Sequence, residues 1–227
     1  MFEWTEERVS FMADACERTD FHEKLAALLA PYLKKTDSIC DAGCGLGYLS
    51  LALAPLVRHV TAAERDDRAL GVLRRQLAQR HICNVTPLCT DVLAYTPPVP
   101  FDVMVFCFFG SMEEIVAAAR RQCRGTVLAI VRDDAHHRFS GVPREPGRHS
   151  FDSACGYLER QSIPYTSRRM ALDFPQPFRT REDARRFMAL YGRGDAAETP
   201  RTSLVSTGDP EFPWQLPGVR RFGMIAF

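Results

Sequence analysis

The sequence predicts an α/β fold built around a mostly parallel sheet. Between residues 38 and 131, short apolar strands alternate with helical stretches, and spacings of about ten to fifteen residues are typical of βαβ units. One predicted strand, Asp102–Cys107, is apolar after its first residue, as expected for a strand buried on both faces of a sheet. Right-handed crossovers would then place helices on both sides of that sheet.

Two amphipathic helices are predicted before the first strand. The spacing of apolar residues places them at about Glu6–Glu17 and about His22–Leu33. Asp20, with Glu23 three residues later, is an N-cap signal for the second helix. The N-terminus lacks the basic and apolar layout of a signal peptide, and no apolar run approaches the roughly 20 residues of a membrane-spanning helix. We therefore expect a cytoplasmic protein that does not span a membrane.

The alternation of strands and helices begins at residue 38. The predicted strands are Ser38–Asp41, His59–Ala63, Val85–Cys89, Asp102–Cys107 and Thr126–Val131. The helices predicted between them are Tyr48–Leu56, Asp66–Arg80 and Met112–Cys123. This order indicates five strands joined through crossover connections, which is the organisation of a doubly wound sheet.

The regular rhythm is lost after Asp134. Residues 136–150 are rich in Gly, Pro, His and Arg and predict a long loop. Beyond it we predict a helix, a strand, a helix whose N-cap is Thr180 with Asp183 at the capping-box position, a polar stretch and a closing strand. Their bounds are Phe151–Gln161, Thr166–Leu172, Arg181–Tyr191, Gly194–Gly208 and Arg221–Phe227.

Composition limits the partners that the protein can have. The 29 basic residues are balanced by 28 acidic ones, giving a net charge of +1, whereas a protein that binds a nucleic-acid backbone usually has a basic excess. The eight cysteines include no C-x-x-C pair, so neither a zinc site nor any other metal site is expected. Scattered thiols of this kind are typical of a reducing compartment.

Three glycines at alternate positions, Gly43, Gly45 and Gly47, follow the first strand. Glycine is required where a ligand touches the backbone or where the dihedral angles exclude other residues. A dinucleotide site has the spacing G-x-G-x-x-G, whereas this chain has G-x-G-x-G. Asp41, two residues before the first glycine, would repel a pyrophosphate but suits a ligand with an ammonium group. The pattern therefore favours S-adenosylmethionine over NAD.

The segment D-A-G-C-G-L-G at 41–47 resembles the first signature of the class I, S-adenosylmethionine-dependent methyltransferases. The resemblance extends from about Leu33 to Val131. It implies a Rossmann-like three-layer sandwich with a seven-stranded sheet in the order 3-2-1-4-5-7-6. Arg221–Phe227 would be its antiparallel last strand, and the N-terminal helices and a C-terminal insertion would form a lid.

The resemblance also implies roles for individual residues. Glu64 matches the family's acid that holds both ribose hydroxyls, and Asp91 matches the acid that meets the adenine amino group. Each has a structural alternative as well, because Glu64 adjoins a helix start and Asp91 suits a turn. The expected cofactor-binding residues are Asp41, Gly43, Cys44, Gly45, Leu46, Gly47, Glu64, Arg65, Asp91, Val92 and Phe106.

Residues for the methyl acceptor are harder to choose. Methyltransferases that act on a base nitrogen or a glutamine amide often carry Asn/Asp-Pro-Pro-aromatic after the fourth strand, where this chain has Phe106-Cys107-Phe108-Phe109-Gly110. The candidates for acceptor binding are Phe108, Arg138 and Tyr165, and the candidates for a general base are His136 and His137. Exposure in a loop is the favoured explanation of the two histidines, which their position after the fifth strand also makes candidates for a base. Trp4 and His22 lie in segments that often cap the cofactor in this family, but packing is the favoured explanation of both residues.

These observations favour a methyltransferase acting on a small molecule. We expect a single domain over residues 1–227, with a helical cap at 1–36, a cofactor-binding half at 37–135 and a substrate-side half at 136–227. The alternatives are an RNA or protein methyltransferase, a regulatory protein that binds S-adenosylmethionine without turnover, and, least favoured by the glycine spacing, a nicotinamide dehydrogenase. The sequence leaves open whether the protein forms a homodimer.

Overall fold

The computed structural model describes residues 3–133, 150–191 and 204–227. Its helices are α1 (Glu6–Glu17), α2 (Phe21–Leu29), α3 (Tyr48–Leu53), α4 (Asp67–Arg80), α5 (Met112–Gln122), α6 (Phe151–Arg160) and α7 (Arg181–Tyr191). Its strands are β1 (Ser38–Ala42), β2 (His59–Glu64), β3 (Val85–Cys89), β4 (Phe101–Cys107), β5 (Cys123–Arg132), β6 (Thr166–Asp173), β7 (Gln176–Phe178), β8 (Val205–Ser206), β9 (Trp214–Leu216) and β10 (Val219–Ala226).

Seven strands form the central sheet, in the order β3-β2-β1-β4-β5-β10-β6. The strands β1 to β5 are parallel, and β10 lies antiparallel between β5 and β6. The predicted order and the antiparallel closing strand are therefore confirmed. The order reverses at β1, which pairs with β2 on one side and β4 on the other. The carboxyl ends of β1 and β4 thus border the crevice where open α/β sheets bind ligands.

Side chains of β1 alternate between the two faces of the sheet, as the period of two requires. Ile39 packs into the core beneath α2, α3 and α4, whereas Cys40 and Ala42 pack into the core on the α5 and α6 side. Asp41 shares the face of Ile39 and therefore points toward α3. Both cores bury apolar residues almost completely, so the end of β1 is held rigidly.

Two predicted helices end earlier than expected, each where a proline follows. The α-helix of α2 stops at Leu29 and continues as a 3-10 turn, Ala30–Tyr32, and α3 stops at Leu53 before a similar turn, Ala54–Leu56. Pro31 and Pro55 are the second residues of these turns. A proline has no N–H for the helical ladder and clashes with the preceding turn, which explains both endings.

The predicted helix caps have different outcomes. Asp20 occupies the N-cap position of α2, but its side chain makes no capping hydrogen bond and instead forms an ion pair with Lys24 at 2.9 Å. The predicted N-cap position of Asp20 is therefore confirmed, whereas the capping hydrogen bond from its side chain does not form. For α7 the prediction is confirmed, because Thr180 Oγ1 accepts the Asp183 amide proton at 3.0 Å and Asp183 accepts the Thr180 amide proton at 2.9 Å.

A second sheet, which the sequence did not predict, consists of β7, β9 and β8 in that order, all antiparallel. We call it the small sheet. Gln176 joins it to α1 by donating to the Phe11 carbonyl at 2.9 Å, and its aromatic core includes Phe178 and Phe187 together with Phe11. Strands of two or three residues are too short for a periodic signal. Among the residues described, none of the helices is long and apolar enough to cross a membrane.

Candidate active site

The glycine loop follows β1 and folds over the end of β2. Gly43, Gly45 and Gly47 all have positive φ angles, of 71°, 55° and 80°, a region that side chains with a Cβ rarely adopt. The amides of Gly43 and Cys44 both donate to the Ala63 carbonyl, at 2.8 and 3.0 Å. The loop is thus anchored to the neighbouring strand, and its three glycines are required by the backbone itself.

Asp41 lies at the base of this loop and is only 1% exposed. Ser50, in α3, donates a hydrogen bond of 2.6 Å from Oγ to Asp41 Oδ2. Burial raises the pKa of Asp41 to about 6, although the hydrogen bond from Ser50 lowers it, and the charge of Glu64 adds to the rise. The carboxyl group is therefore mostly ionised at neutral pH. A buried carboxylate is costly unless it meets a cation, so this position suits an ammonium group.

Glu64 ends β2 and turns its carboxylate toward the glycine loop. Its Oε2 accepts the amide proton of Gly45 at 3.1 Å, and its Oε1 accepts those of Arg65 and Asp66 at 2.9 and 3.0 Å. Each carboxylate oxygen offers about two lone-pair sites, so Oε1 is filled and Oε2 can accept one more donor. Glu64 can therefore accept one hydroxyl as it stands, and holding two hydroxyls requires the loss of one backbone bond.

The loop after β3 reaches the same edge. The Thr90 amide donates to the Glu64 carbonyl at 3.0 Å, which brings the next residue, Asp91, into this neighbourhood. Asp91 is exposed, and its carboxylate accepts the amide proton of Leu93 at 3.0 Å. Val92 is buried, and its carbonyl accepts a hydrogen bond of 2.6 Å from Gln122. The side chain of Asp91 thus stabilises the turn after β3, and its carboxylate remains exposed to solvent.

The other residues predicted to bind the cofactor differ in their exposure. Leu46 is 3% exposed and belongs to the main apolar core. The thiol of Cys44 is half-buried, and burial raises its pKa well above the ordinary value, with further increases from Asp41 and Glu64. Arg65 is exposed, and its carbonyl accepts from the Cys89 thiol. Of these positions, Cys44 lies nearest to the two acids.

The aromatic residues after β4 take three different positions. Phe106 is completely buried and stacks on Phe109, with 6.5 Å between the ring centroids and 9° between the planes. The ring of Phe109 covers Gly43 so closely that a Cβ there would lie 2.4 Å from it. Phe108 has a positive φ of 55° and is half-buried. The ring of Phe108 contacts that of Phe222 edge to face, with 6.1 Å between the centroids.

The N-terminal segment also reaches the glycine loop. The indole ring of Trp4 lies against Gly45, where an added Cβ would be 3.0 Å from the ring. Arg68 of α4 holds this segment by donating to the Trp4 carbonyl at 2.8 Å. Trp4 therefore packs against the turn that carries the second glycine.

Some sequence-predicted residues do not join this site. His136, His137 and Arg138 lie outside the described residues. Tyr165 precedes β6, the outermost strand of the sheet, and its hydroxyl donates to Glu159 at 2.9 Å. Because β5 and β10 separate β6 from β4, Tyr165 is not brought together with the glycine loop. The expectation that Tyr165 contacts the acceptor has no support in this geometry.

Sequence reasoning missed Ser50, which gives Asp41 its hydrogen bond. The signal was present, because Ser50 is the third residue after Gly47 and is therefore in the first turn of the next helix. A serine in an otherwise apolar run, Tyr48–Leu53, calls for a polar partner. Within the described ranges, no three His, Cys, Asp or Glu side chains come close enough together to hold a metal ion.

Comparison with known proteins agrees with this arrangement. Residues 39–138 match the model of a methyltransferase domain. The small-subunit ribosomal RNA methyltransferase A of Desulforapulum autotrophicum is 37% identical over 57 residues, or 25% of this chain and 20% of that protein. The ribosomal protein L11 methyltransferase of Thermotoga neapolitana is 35% identical over 78 residues, or 34% of this chain and 29% of that protein. The chain thus spans less than a third of either relative.

The fold is shared with solved structures at low sequence identity. The SMU.1697c protein of Streptococcus mutans, solved in complex with SAH, superposes with a TM-score of 0.50 and 14% identity. The superposition covers 90% of this chain and 95% of that one. The matched methyltransferase domain thus covers residues 39–138 of the chain, and the shared fold is that of the class I methyltransferases. The methyl donor of this family is S-adenosylmethionine, and the acids and glycines described above fit it, because they offer an anion for its ammonium group and a backbone that a ligand can approach.

Proposed function

We propose that the protein transfers a methyl group from S-adenosylmethionine to a small-molecule acceptor. The observation that carries the proposal is the pairing of two acids, Asp41 and Glu64, on either side of a glycine loop at the point where the strand order reverses. Asp41 is buried and ionised, and Glu64 is fixed by backbone amides. A nucleoside with both an ammonium group and ribose hydroxyls satisfies both acids.

The residues of the site would divide the work as follows. Asp41 holds the ammonium group of the methionine part, and Ser50 keeps the carboxylate oriented. Glu64 accepts a ribose hydroxyl through Oε2, and Asp91 accepts a hydrogen bond from the adenine amino group. The glycine loop lets the backbone come within contact distance of the ligand. Phe106 supports the end of β4 from within the core.

Bound S-adenosylmethionine supplies an electrophilic methyl group on a sulfonium centre. The protein therefore needs mainly to align the acceptor with that methyl group and to exclude water. Phe108 and Phe109, which follow β4, provide apolar surface for this, and Trp4 covers the loop from the other side. A general base is needed only for an acceptor that is protonated when bound.

The charge distribution supports a small-molecule acceptor over RNA. Within the described residues, seven arginines form ion pairs with carboxylates, namely Arg18, Arg74, Arg124, Arg169, Arg179, Arg185 and Arg186. Arginines that are neutralised in this way contribute less to a phosphate-binding surface, because RNA affinity depends on unneutralised positive charge.

An RNA or ribosomal protein acceptor is the second candidate, because the two relatives named above act on such substrates. A gel-shift titration with ribosomal RNA separates the candidates. Binding that is lost at high salt favours the RNA enzyme, and failure to bind favours the small-molecule enzyme. A third candidate function is that of a regulatory protein that binds the donor without turnover. Such a protein would bind S-adenosylmethionine and methylate nothing in any metabolite pool.

We also propose that the chain forms one domain, with residues 1–36 as a helical cap, 37–135 as the cofactor-binding half and 136–227 as the substrate-side half. The position of β10 supports this, because a strand from the C-terminal half completes the sheet next to β5. The packing of α1 on β7 ties the cap to the same half. All eight cysteines are thiols and not disulfides, which supports a reducing, cytoplasmic location.

Calorimetric titration with S-adenosylmethionine, S-adenosylhomocysteine and NAD tests the proposal. We expect both sulfur nucleosides to bind to the natural protein. Asp41→Ala and Glu64→Ala should each weaken their binding free energy by roughly 1–3 kcal/mol, as expected for a lost charged hydrogen bond. Glu113→Ala, which removes an exposed acid of α5, is the matched control and should bind normally. Binding of NAD without either sulfur nucleoside would refute the proposal.

A further inference from the structure

A histidine with an unsatisfied nitrogen lies beside the glycine loop. His22 is in the first turn of α2, and its ring lies 5.9 Å from that of Tyr48 and 6.0 Å from that of Phe174. Its Nδ1 is buried and has no hydrogen-bond partner within the described part of the chain. Leaving a buried polar atom unpaired is costly, so each such atom in a native protein calls for an explanation, such as a bound ligand or a catalytic role.

The imidazole of His22 is neutral at physiological pH. Burial lowers its pKa to about 3, and the positive charge of Arg220 lowers it further. A neutral imidazole has one nitrogen that accepts a hydrogen bond and one that donates. His22 therefore offers a polar contact inside a mostly aromatic environment without adding a second positive charge next to Arg220.

Arg220 carries the positive charge of this cluster. Its guanidinium lies over the ring of Phe108 at 4.4 Å, and it is 5.3 Å from the ring of Phe174. Both Arg220 and Phe108 are half-buried, whereas Phe174 is 1% exposed. The solvent-facing side of the cluster is thus a cation stacked on an aromatic ring, with His22 behind it.

The cluster adjoins the cofactor site. Tyr48 is the residue that follows Gly47 of the glycine loop, and Phe108 follows the last residue of β4. Both charged groups act on the thiol of Cys107, the last residue of β4, because its pKa is raised by burial and by Asp41 and lowered by Arg220. The stacking of Arg220 on Phe108 places the guanidinium next to the end of β4.

We propose that His22, Phe108 and Arg220 form the binding site for the methyl acceptor and that this acceptor is a planar, aromatic anion. Its carboxylate pairs with the Arg220 guanidinium, which offers a planar fork of donors. Its ring packs on Phe108, and its O–H or N–H group donates to His22 Nδ1. Because Nδ1 is covered by surrounding side chains, the acceptor reaches it only when a side chain of the cluster moves aside. This inference rests on the proposed methyltransferase function.

The test compares 4-hydroxybenzoate with 4-hydroxybenzamide as probes, using protein saturated with S-adenosylhomocysteine. The two probes have the same shape and differ in charge. We expect the carboxylate to bind about tenfold more tightly to the natural protein, and Arg220→Gln to abolish this difference. The matched control is Arg221→Gln, an exposed neighbour in β10, which should retain the preference.

A second measurement uses the natural protein and so does not depend on a variant that folds. In spectra of histidine-labelled protein, we expect the imidazole signals of His22 to shift when 4-hydroxybenzoate binds, whereas those of His59 and His81 remain in place. Unchanged His22 signals together with equal affinity for the two probes would overturn the inference.

The two proposals fail in different ways. If the natural protein does not bind S-adenosylhomocysteine, the methyltransferase function is wrong. If it binds the nucleoside but shows no preference for the carboxylate probe, only the acceptor site is wrong. The acceptor site is also wrong if Arg220→Gln weakens S-adenosylhomocysteine by about tenfold, because the guanidinium then holds the methionine carboxylate of the donor.

Discussion

The edge of the sheet formed by Asp41, the glycine loop 43–47 and Glu64, which we call the cofactor edge, differs from the small sheet in how its residues affect stability. At the cofactor edge, the carboxylate of Asp41 is buried beneath a loop whose glycines all have positive φ. In the small sheet, Phe11, Phe178 and Phe187 pack edge to face, with ring centroids 5.3 to 6.1 Å apart. The first region keeps a buried charge that opposes folding, and the second supplies apolar burial that favours it.

This contrast indicates how the chain divides stability and binding. Burial of an ionised carboxylate costs free energy in the absence of a cation, and strained or charged groups persist only where the surrounding structure holds them. The two cores around the central sheet and the aromatic core of the small sheet provide that support. Substitutions in the two regions should therefore have opposite effects on stability, and only those at the cofactor edge should change ligand affinity.

The largest effect is expected in the small sheet. Phe187→Ala removes a ring that is 3% exposed and contacts three others, and loss of such a side chain costs about 3–5 kcal/mol of unfolding free energy. Urea unfolding measures the loss. Affinity for S-adenosylhomocysteine, measured where the variant is still folded, should be unchanged. A parallel loss of affinity would show that the two regions are not separate.

The second largest effect on stability is expected at Asp41, where a substitution should stabilise the protein. Its pKa is raised from 3.8 to about 6 in the folded state, chiefly by burial, so the folded protein binds a proton more tightly than the unfolded chain does. Stability due to this group is then fully present below about pH 4 and is lost as the pH rises toward about 6.

Asp41→Asn mimics the protonated form and should stabilise the protein by up to about 3 kcal/mol above pH 6, with the gain vanishing near pH 4. The same variant should lose affinity for S-adenosylmethionine. Urea unfolding at several pH values, with titration of the ligand, measures both. A variant that is less stable than the natural protein at neutral pH would contradict the assignment of Asp41 as a costly buried charge.

A smaller effect is expected at Ser50, whose hydrogen bond lowers the pKa of Asp41. Ser50→Ala should raise that pKa further, weaken S-adenosylmethionine roughly tenfold at neutral pH, and shift the pH at which binding is half-maximal upward. Ser10→Ala, which changes an exposed serine of α1, is the control. If the pH profile stays fixed while affinity falls, Ser50 acts through packing and not through the carboxylate.

The smallest effect is expected for a surface ion pair. Arg179 bonds both oxygens of Asp14, at 2.7 and 3.1 Å, yet its side chain is 48% exposed. Arg179→Ala should cost about 0.5–1 kcal/mol at low salt and less at high salt. Arg185 is 77% exposed and pairs with Glu182, so Arg185→Ala should reduce the unfolding free energy by less than Arg179→Ala does. A loss at Arg179 as large as that at Phe187 would contradict the view that packing stabilises this region.

The same contrast explains what the sequence could predict. The strands β1 to β5 are regular apolar runs joined by crossover helices, so periodicity located them, and the alternate glycines with Asp41 and Glu64 located the cofactor edge. The small sheet has strands of two or three residues, and its order depends on contacts with Phe11, more than 160 positions earlier than its partner Phe178. Such contacts leave no local pattern.

Individual site residues show the same limit. Glu64 follows from its place at the end of β2, but its three backbone donors depend on how the loop after β1 folds back over it. Arg220 sits in a strand that reads as ordinary β sequence, and its place over Phe108 arises only because β10 inserts between β5 and β6. The position of Arg220 in the proposed acceptor site therefore depends on how the strands pair across the sheet. The periodicity of the sequence does not reveal that pairing.

The most direct test of the account is an NMR titration of the uniformly labelled natural protein with S-adenosylhomocysteine. We expect the amide signals of Gly43, Gly45, Gly47, Glu64 and Thr90 to shift and those of β7, β9 and β8 to stay in place. We expect NAD to leave all of these signals unchanged. Shifts confined to the small sheet, or shifts of the glycine loop with NAD alone, would contradict the central claim that the cofactor edge binds the methyl donor.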